Sequence, residues 1–408
     1  MVNDTAAYYK NLLDLKELEL NSLLEITQAI NSNMSEEALY KIYHFTLIAN
    51  LNISKLVLYV YDDDWNCKVN YGTEKNYKNQ PLTPAVLAIN KITEVNEKID
   101  IPIFHEFERI IPVSHKSTML AYVLVSFNNK EKSSEELGIS FIQTFTNIII
   151  VAIENKKLAR KELAQQALRK ELEIAGEVQS FLFPKNLPDS QQVRIRASYF
   201  PHDSIGGDYY DYIKLSNDAF LICIADVSGK GIPAALLMSN FQASLRTLVR
   251  QTTDLKQIIQ ELNFSIMDNA KGERFITFFI AVFDLATRTI KYINAGHNPP
   301  MLLAAGEATP LDKGTTILGV FNKLPFVNEQ EIPLAEGSNM LFAYTDGLTE
   351  IVSEEGEEFG MEKLQQYLLD YTDTALPQLH TDLYDELLRF KGANKFPDDI
   401  TYWTCYVE

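Results

Sequence analysis

From Ser133 to Phe183 the chain runs without a proline while apolar residues recur at helical spacing, and Pro184 and Pro188 then stop the pattern. One long helix is expected there, opened by Ser133 as N-cap with Glu136, three residues on, as its capping-box partner. It separates two parts of different build: of 17 glycines, Gly72 and Gly138 alone precede Gly176. In a heptad register Val151, Leu158, Leu168, Leu172, Ala175 and Leu182 fall on seam positions, but so do Glu154, Lys161, Gln165 and Gln179. Two readings stay open, an ordinary amphipathic connector and a marginal dimer helix whose pairing can change to pass a signal.

The part before this helix opens with a helical pattern. Leu12, Leu13, Leu20, Leu23, Leu24 and Ile30 lie on one side, and Leu15, Leu18 and Ile26 widen the apolar face. A second helix is expected over Ser35–Asn50, then strands at Lys55–Tyr61, Asn66–Asn70 and Met119–Phe127, with a looser region up to about Ile111. The part after Pro188 has short strands between Gly, Pro and Asn turns. Helices are expected there at Pro233–Leu248, Leu255–Asp268, Met361–Tyr371 and Leu376–Phe390. Both parts are α+β.

The net charge is −18 over 408 residues, and residues 186–408 carry 31 acidic against 17 basic groups. An acidic balance of this size argues against general nucleic-acid binding, which needs basic surface to neutralise phosphates. Cys67, Cys223 and Cys405 lie far apart and form no Cys-x-x-Cys, which suits thiols in a reducing cytoplasm. The first residues show no basic start followed by an apolar run, and the most apolar windows, Asn147–Ile153 and Phe275–Phe283, fall short of the ~20 residues a membrane span needs. A cytoplasmic chain without a membrane span is therefore expected.

The chemistry concentrates around Gly206-Gly207-Asp208-Tyr209-Tyr210-Asp211 and Asp226-Val227-Ser228-Gly229-Lys230-Gly231, joined by a hairpin turning at Ser216-Asn217-Asp218. If the hairpin is centred on Asn217, Asp208 faces Asp226, with Cβ atoms roughly 4.5–5.5 Å apart. Two like charges so close are destabilising unless a cation lies between them, and oxygen ligands suit a hard ion such as Mg²⁺ or Mn²⁺. Such a pair can bridge two ions about 3.5–4 Å apart. Ser-Gly-Lys-Gly lacks the Ser or Thr after Lys that a P-loop requires. Asp346, where an apolar strand meets Gly347, and Asp398-Asp399 before the last strand are further acidic candidates.

Six ordered motifs resemble the bacterial SpoIIE/RsbU-type serine phosphatases, the prokaryotic branch of the metal-dependent (PPM, protein phosphatase 2C-like) phosphatases. They are Ala175-Gly176-Glu177-Val178-Gln179-Ser180-Phe181-Leu182-Phe183-Pro184, the Gly-Gly-Asp run, Asp226 to Gly231, Asn294-Ala295-Gly296-His297-Asn298-Pro299-Pro300, Thr345-Asp346-Gly347 and Asp398-Asp399-Ile400-Thr401. The resemblance implies an αββα sandwich over 186–408 with two divalent cations, Mn²⁺ or Mg²⁺, between its sheets. Asp208, Asp226, the Val227 carbonyl, Asp346 and Asp398 would be the ligands. Asp399 and Asp211 are further candidates beside the metals, and Ser228, Lys230 and His297 are candidates for substrate or loop roles. In the eukaryotic branch a His follows the second metal-site Asp by two residues; here Ser228 stands in its place. The implied substrate is a phosphorylated STAS-type anti-anti-sigma protein. The first part resembles a GAF domain, with a PAS-type sensor as the alternative reading, 1–32 a helix able to form a coiled coil, 33–155 the sensor, 156–185 the connector, and a homodimer implied. Its ligand is not legible.

Three activities fit such a chain. A sensor-regulated phosphatase needs all its ligand carboxylates, and they are present. A pseudophosphatase that binds a partner without turnover would be marked by a lost ligand. A class III nucleotide cyclase would need a purine-binding set that the sequence does not display.

Overall fold

The computed structural model describes residues 2–95, 104–115, 118–128, 132–371 and 376–408. The side chains of 132–137 lie outside that description, and with them the Ser133–Glu136 capping box; so do those of Leu12, Leu15 and Leu18. The chain divides into two compact units, Met1–Gln165 and Gln166–Glu408.

The first unit is built from α1 (Val2–Asn31), α2 (Glu36–Leu51), β1 (Ile53–Asp62), β2 (Asp64–Tyr71), α3 (Pro84–Leu87), β3 (Thr93–Glu94), β4 (Arg109–His115), β5 (Thr118–Phe127) and the first part of α4 (Lys132–Ser180). The strands form one antiparallel sheet in the order β2-β1-β5-β4-β3. Alternation sends Leu56, Leu58 and Val60 to one face, against Tyr43, Leu47, Ile142, Phe145 and Ile149 of the helices. Val57 and Tyr59 go to the other face, against Tyr77, Phe104, Tyr122 and Leu124. β4 begins in the region expected to be loose up to about Ile111 and runs on beyond it; its run Ile110–Val113 is buried, a short apolar stretch that pattern alone does not separate from loop. On α1 the seated face is Ile26 and Ala29 with Leu23 and Ile30 beside them, whereas Leu13, Leu20 and Leu24 are exposed. α2 opens on Ser35, whose hydroxyl accepts from the Ala38 amide. The Cys67 thiol donates to the Val69 carbonyl, and burial pushes its pKa up to about 11, the state of a packed rather than a reactive thiol.

One 18-residue window within Gly138–Ser180 reaches a mean hydropathy of 1.2, enough by length and composition to cross a membrane, so the apolar stretch around Asn147–Ile153 is longer than the sequence pattern indicates. Half of that window is buried, and Ile142, Phe145, Ile149 and Ile153 belong to the first unit's core.

The second unit contains two facing sheets. β6 (Val193–Phe200), β11 (Met301–Ala304), β12 (Glu307–Pro310), β15 (Asn339–Tyr344) and β16 (Ile400–Val407) form one, in the order β12-β11-β15-β16-β6. The other holds β7 (Tyr209–Lys214), β8 (Ala219–Val227), β9 (Ile276–Asp284), β10 (Thr289–Ala295) and β13 (Gly314–Thr315), ordered β13-β10-β9-β8-β7, with β14 (Gln330–Pro333) also on β10. Ile222, Ile224, Phe279 and Phe283 of this second sheet meet Ile195, Leu341, Trp403 and Cys405 of the first in the central core. The outer faces are covered by helices. Leu221, Cys223 and Ala225 pack on α5 (Ile232–Val249) and α6 (Leu255–Ala270), while Phe342, Tyr344 and Tyr402 pack on α8 (Gly360–Asp370) and α9 (Leu376–Lys391). A short helix, α7 (Asp346–Thr349), follows β15.

Candidate metal centre

β7 and β8 pair in the register symmetric about residue 217, Tyr209 opposite Ala225 and Lys214 opposite Phe220. One step further sets Asp208 opposite Asp226, at the end of the hairpin that lies against the second unit's other sheet. Period-two alternation places Asp226 on the inter-sheet side with Ile222 and Ile224, and it sends Tyr209 and Asp211 to the helix-facing side.

Asp208 is 2% exposed, and one carboxylate oxygen, Oδ2, accepts from Thr345 Oγ1 at 2.8 Å and from Thr401 Oγ1 at 2.5 Å. Thr345 follows β15 and Thr401 lies in β16, so this carboxylate ties the edge of one sheet to the other. Asp399 is held by two backbone amides, His202 to Oδ1 and Gly207 to Oδ2, each at 2.7 Å. The glycines before Asp208 are required by this packing. A Cβ on Gly206 would stand 2.2 Å from Tyr199 Oη and 2.3 Å from Asp399 Oδ2. A Cβ on Gly207 would stand 3.0 Å from the Val227 carbonyl, which places that carbonyl beside the Asp208 turn. Gly347 gives the same room to Asp399, whose carbonyl oxygen would be 2.0 Å from an added Cβ.

The electrostatics describe one acidic centre. Burial, then Asp226 and Asp399, hold the Asp208 carboxyl well above the usual range, against the two threonine hydroxyls. Asp226 is pushed up to about 7, by burial first and then by Asp346, Asp398, Asp399 and Glu350. Burial and Asp398 raise Asp346, and burial raises Asp399 despite its backbone donors. The cation set against this group is Lys230, whose ammonium lies 3.0 Å from Asp398 Oδ2 and donates to the Pro397 carbonyl. Among the described residues no three His, Cys, Asp or Glu stand ready-set around one point. The donor chemistry nonetheless fits hard divalent cations: oxygen ligands gathered at both sheets, with the charged forms of Asp208, Asp226 and Asp346 disfavoured by neighbouring carboxylates.

Glu350 was not picked out in the sequence. Burial and then Asp346 raise its pKa; it lies four residues after Asp346, one turn along α7, and that spacing was the available signal.

The remaining candidates are engaged elsewhere. Asp211 is not beside the acidic centre: Arg246 of α5 grips both its oxygens, at 2.8 and 2.9 Å, and Tyr209 Oη donates to it at 2.5 Å. The Ser228 hydroxyl accepts from the Phe275 amide at 2.9 Å, and its carbonyl accepts from Arg274 Nη1 at 2.7 Å. His297 is buried in the turn after β10, its Nδ1 2.8 Å from Thr277 Oγ1 and its amide donating to Asn294 Oδ1. Burial lowers its pKa to about 4.

Gln179 of α4, which reads in sequence as a seam defect, is 8% exposed and grips the backbone of Gly206. Its Nε2 donates to the Gly206 carbonyl at 2.8 Å, and the Gly206 amide donates to its Oε1 at 3.2 Å. One turn earlier a Cβ on Gly176 would stand 2.2 Å from the Ser204 carbonyl. The end of the helix is thus seated directly on the segment that leads into Asp208.

Residues 216–407 match the family model described as stage II sporulation protein E (SpoIIE), a stretch that includes Asp226, Asp346 and Asp398 and begins after Asp208. Phosphoserine phosphatase RsbU of Bacillus subtilis is 29% identical over 239 residues, 58% of this chain and 70% of the relative. Protein IcfG of Synechocystis is 29% identical over 316 residues, 69% of this chain but 47% of the relative. Among solved structures, the SiaA-PP2C domain of Pseudomonas aeruginosa superposes with a TM-score of 0.52 at 23% identity, covering 59% of this chain and 97% of that one. The two sheets, the acidic edge between them and these likenesses together identify the C-terminal part of the chain as a SpoIIE-type protein serine/threonine phosphatase domain of the PP2C fold.

Proposed function

We propose that the chain hydrolyses a phosphoserine or phosphothreonine on a regulatory protein, with the N-terminal unit, a GAF-like sensor, controlling the rate. The observation that carries this reading is the carboxylate group of buried Asp208 and Asp399 with partly buried Asp226, Asp346 and Asp398, gathered at both sheets with Lys230 as its one close cation among the described residues. Asp208, Asp226, the Val227 carbonyl, Asp346 and Asp398 would hold Mn²⁺ or Mg²⁺. When bound, such ions supply a water of near-neutral pKa and offset charge on the phosphoryl oxygens.

The chain's own residues do the positioning. Thr345 and Thr401 fix the Asp208 carboxylate, and Asp399 fixes the Gly207 amide next to it. Ser228 occupies the place of the eukaryotic branch's histidine; its hydroxyl accepts from the Phe275 amide and, as an aliphatic alcohol that does not ionise near neutral pH, offers no equivalent acid for the leaving oxygen. The relative named phosphoserine phosphatase RsbU supports phosphoserine as the substrate group. A STAS-type anti-anti-sigma protein is the substrate class that the family resemblance favours. Control through the connector helix is supported by the seating of α4 on Gly206 through Gln179, and a homodimer is what the family resemblance implies.

The test is hydrolysis of p-nitrophenyl phosphate, and then of a phosphorylated anti-anti-sigma-type protein, with and without Mn²⁺. Activity is expected with the metal and not in Asp226→Ala. Equal rates without metal, or in that variant, overturn the reading; binding of the phosphoprotein without turnover would favour a pseudophosphatase.

A further inference from the structure

Lys230 stands on the turn between β8 and α5, 48% exposed, yet its ammonium is not simply solvated. It lies 3.0 Å from Asp398 Oδ2 and donates to the carbonyl of Pro397, the residue just before. The other oxygen of Asp398 accepts from the Asp399 amide at 2.8 Å, so both oxygens of this carboxylate are engaged. The lysine charge also acts on Asp346 and Glu350, lowering the pKa of each against the acids that raise it. Arg274, which reaches this turn from the segment just before β9, is committed to the Ser228 carbonyl.

We infer that Lys230 is a built-in counter-ion of the acidic centre, which a divalent cation must displace from Asp398 as it binds. The inference rests on the metal reading above and goes beyond it, because it assigns Lys230 a cost in cation affinity rather than a solvent or turn role. An ammonium and a metal ion cannot share Asp398 Oδ2 without strong like-charge repulsion, and the flexible four-carbon stem lets the lysine leave without moving the backbone. Gly229 and Gly231 flank it with φ of +90° and +71°, a backbone course that fixes where the stem begins. Once released, the ammonium is free at the mouth of the centre, where a phosphoryl group must enter.

Two measurements on the full chain test this. The first is isothermal titration with Mn²⁺ alone. Lys230→Gln is expected to bind Mn²⁺ about two- to fivefold more tightly than the parent at its weakest site, the range of one partly exposed ion pair. The second is acetylation of Lys230 by acetic anhydride, read by mass spectrometry against exposed Lys214. Reactivity at Lys230 is expected to rise on Mn²⁺ addition. Unchanged or weaker binding by Lys230→Gln, or Lys230 reactivity indifferent to Mn²⁺, overturns the inference while leaving the metal reading intact. No Mn²⁺ heat from the parent chain, matching Asp226→Asn, removes the metal reading itself and this inference with it.

Discussion

Asp208 and Asp211 stand three residues apart on one side of a hairpin, and both are 2% exposed. Their surroundings differ completely. Asp211 faces the helices, where Arg246 supplies a two-pronged cation and Tyr209 a hydroxyl, so its charge is balanced inside the fold. Asp208 faces the other sheet, where Thr345 and Thr401 supply neutral donors and the nearest charges are those of Asp226 and Asp399. A buried carboxylate with its own arginine holds elements together. One surrounded by other carboxylates raises the free energy of the fold until a cation arrives from outside.

The sharpest way to break this comparison is to neutralise each aspartate in turn. Asp208→Asn is expected to lower phosphatase activity by on the order of 10³-fold, the scale of charge stabilisation that metal sites supply. Its thermal midpoint should be unchanged or higher without added metal, because a repelled buried charge is gone while the threonine hydroxyls can still donate. Asp211→Asn should do the reverse. It is expected to cost about 2–4 kcal/mol of stability in urea titration, below the full figure for a buried pair because Arg246 is 38% exposed. Its turnover per folded molecule should stay within a few-fold of the parent. The comparison fails if the two variants show the same balance of activity and stability loss.

Gln179 adds an intermediate case, a neutral group that positions the acidic centre without belonging to it. Gln179→Leu removes both bonds to the Gly206 backbone and is expected to lower turnover about tenfold while costing only about 1–2 kcal/mol, the net worth of two hydrogen bonds. Turnover and urea stability measured on the same preparation separate these effects. If activity falls only in proportion to the folded fraction, α4 does not position the Asp208 segment.

The smallest effect concerns His380, buried with neutral partners on both nitrogens, Ser198 Oγ at 2.8 Å and Thr404 Oγ1 at 2.9 Å. Burial, with the Arg196 charge, lowers its pKa to about 3. The unfolded chain takes up this proton below about 6.5, and the native protein does so only near 3. Its contribution is thus present above pH 6.5 and is lost as pH falls from there toward 3, at up to ~1.4 kcal/mol per pH unit. His380→Gln should flatten the slope of unfolding free energy between pH 6 and 5, and an unaltered slope would show that the histidine titrates normally.

Much of the second unit is legible because its signals are local. The helix expected over Pro233–Leu248 is Ile232–Val249, and that over Leu376–Phe390 is Leu376–Lys391, since amphipathic spacing and a proline or glycine boundary sit within each segment. The hairpin register is legible too, because a short turn at Ser216–Asp218 leaves one symmetric pairing. Strand β4 was not legible: its apolar run is short, and its place is set by pairing with β5. The fate of Asp211 was equally hidden, for its partner Arg246 lies 35 residues away on another element. Gln179 was legible only as a polar residue on an apolar seam; its meaning depends on Gly206, 27 residues on.

The sequence by itself determined which residues carry the chemistry, the family they resemble and the alternation that gives each strand residue a side. Those properties follow from residue type and from spacing along one segment. Tertiary structure alone decided which carboxylates share a face with other acids and which meet a cation. It also decided that the last turn of the long helix rests on the Asp208 segment and that Lys230 reaches Asp398. Charge interactions depend on distance through space and on burial, and neither is a function of separation along the chain.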